Sequence, residues 1–336
     1  TKGAHAEVME FAQKIKSPVG HALRGKEWIQ YDNPFDVGMS GLLGYGACHD
    51  ASHDADLLIL LGTDFPYTEF LPRDNVAQVD IDASHIGRRT TVTYPVVGDV
   101  GATIENILPH IEEKTDRSFL DTQLRNHAKI LEGVVDAYTK KVEKKKPIHP
   151  EYVAALIDEL ADDDAIFTVD TGMCNVWAAR YLTPNGRREE IGSFRHGTMA
   201  NALPHAIGAQ FVDRDRQVVS FSGDGGLGML MGELLTVKQH ELPVKAVVFN
   251  NSSLGMVKLE MLVAGMPDFG TDHDEVNFAA IAEAVGIKAI RIEDPKKLRK
   301  GLEEAFAHPG PVLVDVVTDP DALSIPPEIT WDMLVG

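Results

Sequence analysis

Short apolar runs that end in glycine, aspartate or asparagine alternate along this chain with stretches whose apolar positions recur every three or four residues. The first pattern predicts strands buried in a sheet, and the second predicts amphipathic helices. Strict alternation of the two predicts an α/β protein built of doubly wound parallel sheets. In the first half the pattern predicts a helix over Ala6–Ile15 and a short strand over Pro18–His21. Asp56–Leu61 is a continuous apolar run, which predicts a strand covered on both faces. Val76–Ile81 and Tyr94–Val97 follow as strands, and Val100–Glu113 as an amphipathic helix.

The second half opens on His149-Pro150-Glu151, with proline at a favourable helix start, so Tyr152–Leu160 is predicted helical. Strands are predicted over Ala165–Val169, Gln217–Ser222, Val244–Asn250, Lys288–Ile292 and Pro311–Val317. Helices are predicted between them over Met199–Gln210, Met229–Gln239, Phe278–Val285 and Pro295–Ala307. Residues 118–148 differ in composition: charged, helix-favouring and closing on Lys140–Pro147. A run like this reads as a solvated linker. The predicted organisation is therefore two α/β domains, residues 1–117 and 149–336, joined through 118–148.

The chain of 336 residues is long enough for two such cores. Its net charge of −19 argues against nucleic acid as a partner. Two cysteines, Cys48 and Cys174, are too few for a disulfide framework or a zinc cluster and suit reduced thiols in the cytoplasm. No run approaches the length of a membrane-spanning helix. The chain opens on Thr1 rather than methionine, and Thr1–Ala4 reads as the loop after a strand, so a preceding strand is expected upstream.

Candidate chemistry is concentrated at two predicted strand ends. The strand over Gln217–Ser222 runs into Gly223-Asp224-Gly225-Gly226, and after 24 residues between Gly225 and Asn250 the strand over Val244–Asn250 runs into Asn251. Parallel strands bring such ends to one edge of a sheet. A hard cation such as Mg2+ takes oxygen ligands, and Asp224, the Asn251 side-chain carbonyl and the Ser253 backbone carbonyl offer three. Gly225 and Gly226 allow backbone to approach a phosphate closely.

These residues carry a resemblance. Gly223-Asp224-Gly225 with Asn250-Asn251 resembles the cofactor motif of thiamine-diphosphate-dependent enzymes. Ser193–Ala200, containing Gly197, Thr198 and Met199, resembles the segment that cradles the pyrimidine ring, and Met199 matches the apolar residue over which the cofactor bends. Val248–Val257, with Ser252, Ser253, Leu254, Gly255, Met256 and Val257, resembles the pyruvate oxidase branch, as does Asp32–Met39. Along nearly the whole chain the nearest resemblance is to bacterial pyruvate:quinone oxidoreductases. That resemblance implies decarboxylation of pyruvate to acetate with thiamine diphosphate, Mg2+ and FAD, a quinone acceptor and a homo-oligomer. A phosphate-dependent pyruvate oxidase and an acetolactate synthase are the alternatives. Glu260 is the candidate catalytic group, at the substrate end of the cofactor, and His196 is open to a catalytic role or a structural one.

The resemblance also implies an FAD site in the first domain. Its candidates are the tight loop Leu42-Leu43-Gly44-Tyr45, the run Gly62-Thr63-Asp64-Phe65-Pro66-Tyr67, and the strand-end aspartates Asp80, Asp82 and Asp99. A carboxylate at such an end can accept both hydroxyls of a ribose. No GxGxxG fingerprint accompanies them. In the family the glutamate that activates thiamine lies in a domain upstream of these two, so no glutamate here is assigned that role. The quinone-linked members also end in a membrane-docking segment. That segment is expected to be missing beyond Ile325-Pro326-Pro327, leaving peripheral membrane contact to a longer protein.

Overall fold

A computed structural model describes residues 2–323, so Thr1 and the segment around Ile325–Pro327 lie outside the described residues. The backbone contacts divide the chain into two units, Thr1–Val134 and Val135–Gly336.

In the first unit the order is α1 (His5–Ile15), β1 (Val19–His21), α2 (Lys26–Ile29), β2 (Asp36–Met39), β3 (Tyr45–Gly46) and α3 (Cys48–Asp54). Then come β4 (Leu58–Leu61), β5 (Val76–Asp80), β6 (Tyr94–Val97), α4 (Val100–Ile107) and α5 (Ser118–Ile130). Strands β4, β5 and β6 form a parallel sheet in that order. Strands β1, β2 and β3 form a second sheet, parallel between β1 and β2 and antiparallel between β2 and β3. Val8 and Phe11 of α1 meet Val100 and Ile104 of α4 and Val79 of β5 in one core. The three- and four-residue spacing of those apolar positions drives both helices onto the sheet.

Three sequence expectations change here. The apolar run ending in β4 is only half-buried along its length, and β6 is exposed throughout. Apolar residues alone do not say which faces will be covered. Helix α4 stops at Ile107 and tightens into a single turn over Leu108–His110, because Pro109 has no N–H to continue the ladder. The charged stretch predicted as a linker begins as α5, which buries Leu120, Gln123 and His127 and packs on β2 and β3. The helical run loosens around Gly133 and ends by Tyr138.

The second unit runs α6 (Pro150–Leu160), β7 (Ile166–Val169), α7 (Met173–Tyr181), β8 (Glu189–Gly192), α8 (Ala202–Val212) and β9 (Val218–Gly223). It continues with α9 (Asp224–Leu230), α10 (Leu234–Gln239), β10 (Lys245–Asn250), α11 (Gly255–Val263), α12 (Phe278–Ala284), β11 (Lys288–Ile292), α13 (Pro295–Ala307) and β12 (Val312–Val317). All six strands are parallel, in the order β11-β12-β10-β9-β7-β8. In register, Val247 of β10 lies between Phe221 of β9 and Val314 of β12. One face is packed by Leu203 and Ile207 of α8, Leu234 and Val237 of α10, and Phe278 and Ala282 of α12. Helices α6, α7 and α13 pack with one another and with the sheet as a separate set. The chain leaves β7 outward to β8 and then returns to β9 on the other side of β7. That reversal is a topological switch point, and in open α/β sheets ligands bind just beyond it. Asp170 follows β7 and Asp224 follows β9.

Candidate functional site

Strand β9 ends at Gly223, and α9 begins at once with Asp224. The helix therefore starts earlier than the Met229 expected from the pattern, and its first residue is the candidate ligand. Asp224 is 3% exposed. Its Oδ1 accepts the Gly225 N–H at 2.7 Å, and its Oδ2 accepts the N–H groups of Asn251 at 3.0 Å and Ser252 at 2.6 Å. Burial raises its pKa from the ordinary aspartate value, and the Gly225 N–H acts in the other direction. His273 Nε2 stands 3.6 Å from Oδ2.

The loop after β10 is shaped to make these contacts. Ser252 adopts a left-handed backbone, φ 54°, which lets the successive N–H groups of Asn251 and Ser252 face one oxygen, as in anion-binding nests. Asn251 Oδ1 accepts the Ser253 N–H at 3.2 Å. A short antiparallel bridge pairs Ser253 with Asp272. It uses the Thr271 carbonyl, bonded to Leu254 N–H at 2.8 Å, and the Ser252 carbonyl, bonded to His273 N–H at 3.1 Å. The Ser253 carbonyl is not part of either bond, while its Oγ is buried without a partner.

The two glycines after Asp224 are explained by what approaches them. A Cβ on Gly225 would lie 2.7 Å from Leu254 Cδ2 and 3.3 Å from Met199 Cε, so Met199 and Leu254 converge on this backbone. A Cβ on Gly226 would lie 2.5 Å from Asp170 Oδ2. Gly255 opens α11 in similarly tight quarters, 3.3 Å from Asn251 Nδ2 by the same measure. Met199 is half-buried at the end of an exposed stretch, Arg195–Thr198, that holds His196, Gly197 and Thr198. The stretch is folded back by the Gly197 N–H to Ser193 carbonyl bond, 2.7 Å.

Asp170 and its partners were not among the expected site residues. Asp170 is 1% exposed. Its Oδ1 accepts the Ala202 N–H at 2.7 Å and the Asn201 side-chain N–H at 3.3 Å, and its Oδ2 is buried without a partner beside Gly226. Burial raises its pKa as well. The available signal was its place at a strand end, the same signal that singled out Asp224. His273 had no such signal, because its place depends on a loop that folds back from far along the chain.

On α11, Met256 is half-buried, while Val257 and Glu260 are exposed. The structure thus brings Met199, Asp170, Asp224, Gly225, Gly226, Asn251, Ser252, Ser253, Leu254 and Gly255 together and leaves Glu260 facing solvent.

In the first unit, the rings of Phe65 and Tyr67 lie over Gly41 and pack edge to face, 5.6 Å between centroids. This brings Phe65 and Tyr67 against the loop of Leu42, Leu43 and Gly44, closed by the Gly44 N–H to Gly41 carbonyl bond at 2.7 Å. Tyr45 is buried, its hydroxyl accepting from Gln30 Nε2 at 2.6 Å. Gly62 and Pro66 are exposed and Thr63 half-buried. Asp64 is paired with Arg88 at 2.8 Å and Arg89 at 3.2 Å. Asp80 is buried and accepts the Asp82 N–H at 2.9 Å. Asp82 accepts the Ser84 N–H at 2.9 Å, and Asp99 caps α4 by accepting the Ala102 N–H at 3.0 Å. Both therefore have local backbone partners.

A carboxylate, an amide oxygen and a backbone carbonyl are hard donors that suit Mg2+. Asp224 Oδ1 accepts only one bond and keeps a lone pair for a cation. The donor set, the Ser253 carbonyl outside the bridge and the tight Gly225 backbone fit a metal-bound diphosphate. Among the described residues no helix is long and apolar enough to cross a membrane.

Comparison with known proteins bears on the family. Residues 170–316 match the family described as "Thiamine pyrophosphate enzyme, C-terminal TPP binding domain", and residues 1–107 match its "central domain". The chain is 35% identical over 336 residues to YdaP of Bacillus subtilis (strain 168), named as thiamine pyrophosphate-containing, covering 100% of this chain and 58% of that protein. It is 32% identical over 331 residues to the acetolactate synthase large subunit of Porphyra purpurea, covering 93% of this chain and 54% of that one. The same subunit of Parasynechococcus marenigrum (strain WH8102) is 31% identical over 332 residues, at 93% and 51% coverage. The chain spans about half the length of the curated relatives it matches. None of these three names mentions a quinone or pyruvate oxidation, the branch to which the motifs pointed. With both of the family's domains matched over most of its length, the chain belongs to the thiamine-diphosphate-dependent enzymes.

Proposed function

We propose that this chain carries the diphosphate and metal half, and an FAD half, of an enzyme that oxidatively decarboxylates pyruvate and passes the electrons to a quinone. The observation that carries the decarboxylase part is the convergence of Asp224, the Asn251 loop and Met199 on the Gly225 backbone. Asp224, the Asn251 side chain and the Ser253 carbonyl hold Mg2+. The Gly225 and Gly226 backbone faces the diphosphate. Met199 and Leu254, converging on the Gly225 backbone, would give the cofactor an apolar support. When bound, thiamine diphosphate supplies the carbon nucleophile and electron sink for loss of carbon dioxide from a 2-keto acid. The residues around it bind, orient and exclude water.

The flavin part is supported by the packing of Phe65 and Tyr67 on the 41–44 loop. Its quinone acceptor rests on the pyruvate-oxidase-like segments Asp32–Met39 and Val248–Val257. The names of the relatives favour a second reading, an acetolactate synthase in which flavin stays oxidised. Anaerobic addition of pyruvate to the FAD-loaded full protein separates the two. Bleaching of the flavin with acetate as product is expected. Acetolactate formed with the flavin spectrum unchanged would replace the first reading with the second.

A further inference from the structure

The metal loop is held from behind by a buried charged network that the proposed chemistry does not use. Asp315 lies in β12 and is fully buried, and Asn250, the last residue of β10, is 1% exposed. Asn250 Nδ2 donates to Asp315 Oδ1 and to the Val276 carbonyl, both at 2.8 Å. Asp315 Oδ2 accepts Arg291 Nη1 from β11 at 2.6 Å and the Phe278 N–H, at the start of α12, at 3.0 Å. Arg291 also donates to Glu293 at 2.8 Å, to the Val276 carbonyl at 3.4 Å and to Glu275. One carboxylate therefore ties together three adjacent strands and the segment leading into α12.

The network around Asp315 reaches the site by two routes. Asn250 is joined directly to Asn251, a proposed ligand. Farther along, Thr271 and His273 are bonded to Leu254 and Ser252, so residues 271–278 are tied to the metal loop at one end and to Asp315 at the other. A buried charge pair is weak evidence of net stabilisation, because desolvation offsets most of its attraction. A charged pair also fixes geometry, and outer groups that orient metal ligands tune affinity strongly.

We propose that Asp315 and Arg291 are positioning residues that set the geometry of the Asn251–Ser253 loop for the metal-bound diphosphate. This rests on the assignment of Asp224, Asn251 and Ser253 as the metal site. Neither residue touches the cofactor. Arg291 holds the Asp315 carboxylate in place, and Asp315 holds Asn250 and the start of α12.

The test uses the full protein and titrates Mg2+ at fixed thiamine diphosphate, read by tryptophan fluorescence rather than turnover. Arg291→Met is expected to raise the Mg2+ needed for half-saturation by about 10- to 100-fold, with Arg291→Lys recovering most of the loss. Amide exchange at Ser252 and Leu254 should quicken in Arg291→Met without cofactor, while exchange in β9 stays slow. Asp315→Asn keeps the volume and one acceptor, and supplies the same comparison should Arg291→Met fail to fold. A wild-type Mg2+ requirement in the folded variants, with Asp224→Ala having lost binding, overturns the positioning role. Wild-type binding by Asp224→Ala overturns the metal assignment instead, so the two failures are distinguishable.

Discussion

Strand β6 of the first unit and β10 of the second are alike in sequence and opposite in structure. Each is a short apolar run that delivers a polar residue at its carboxyl end. Every residue of β10 is buried and every residue of β6 is exposed. Strand β10 has β9 and β12 on its two sides and helices over the sheet, whereas among the described residues β6 pairs only with β5. Pro95 marks the difference, since a residue without an N–H belongs on an edge strand. The polar residues delivered differ in the same way. Asp99, after β6, is satisfied by the next turn of its own chain. Asp224, after the buried β9, collects N–H groups from a loop 27 residues on. Depth in the sheet thus separates a carboxylate that caps a helix from one that joins two strand ends into a site.

The sharpest way to break this comparison is to remove each carboxylate. Asp224→Ala is expected to weaken Mg2+-dependent thiamine diphosphate binding beyond the roughly 100-fold that loss of a supporting contact costs. Asp99→Ala should leave that affinity unchanged and cost about 1 kcal/mol of stability, the worth of a helix cap. Calorimetric titration of both variants decides it, and equal losses of affinity would erase the distinction.

Truncations within the two sheets come next. Phe221→Ala, at a fully buried position of β9, should cost about 3–5 kcal/mol in denaturant unfolding. Val97→Ala in β6, where the side chain is exposed, should stay within about 0.5 kcal/mol. A large cost at Val97 would mean that the face is covered in the working protein.

Titration gives a third contrast, of similar size. Burial pushes Glu151, in the second unit, up to about 7. Its folded-state pKa is raised, so its contribution to stability is full below the unfolded value and is lost as pH rises through about 7. Glu151→Gln should remove a loss on the order of 3 kcal/mol between pH 5 and pH 8, seen in unfolding curves across that range. Glu113, exposed in the first unit, is held below its ordinary value by its hydrogen bond from Lys16, and so contributes with the opposite sign, losing stability as pH falls.

The smallest structural change expected to matter is Gly226→Ala. Its Cβ would press on the buried Asp170 oxygen at 2.5 Å. A cost of about 1–3 kcal/mol is expected, as for overpacking elsewhere. An unchanged melting curve would show that Asp170 has room to move.

Much of the second unit was legible because its strands carry continuous apolar runs closed by polar residues, and its helices carry three- and four-residue periodicity. The strand over Lys288–Ile292 and the helix over Pro295–Ala307 were read to the residue, since Asp294 and Pro295 mark a helix start as clearly as any pair can. Elements of weak pattern were not read: β8, with its half-exposed Glu189–Gly192, and the short β2–β3 pair, whose glycines hide the alternation. Helix α7 escaped because it is buried over nearly its whole length, Asn175 included, and so has no one-sided stripe to find.

By itself the sequence determined the α/β class and the two strand ends that meet at Asp224 and Asn251, and the resemblance of their motif pointed to the family. Local chemistry suffices for that, because strand pattern, glycine placement and ligand type are all written within short windows. The tertiary structure alone decided which aspartates join a site and which cap helices, and that Glu260 points to solvent. It also put Asp170 beside Gly226 and placed Asp315 and Arg291 behind the metal loop. Those outcomes depend on strand order, which brings β12 and β11 beside β10 although they lie far along the chain, and on burial, which no short window of residues encodes.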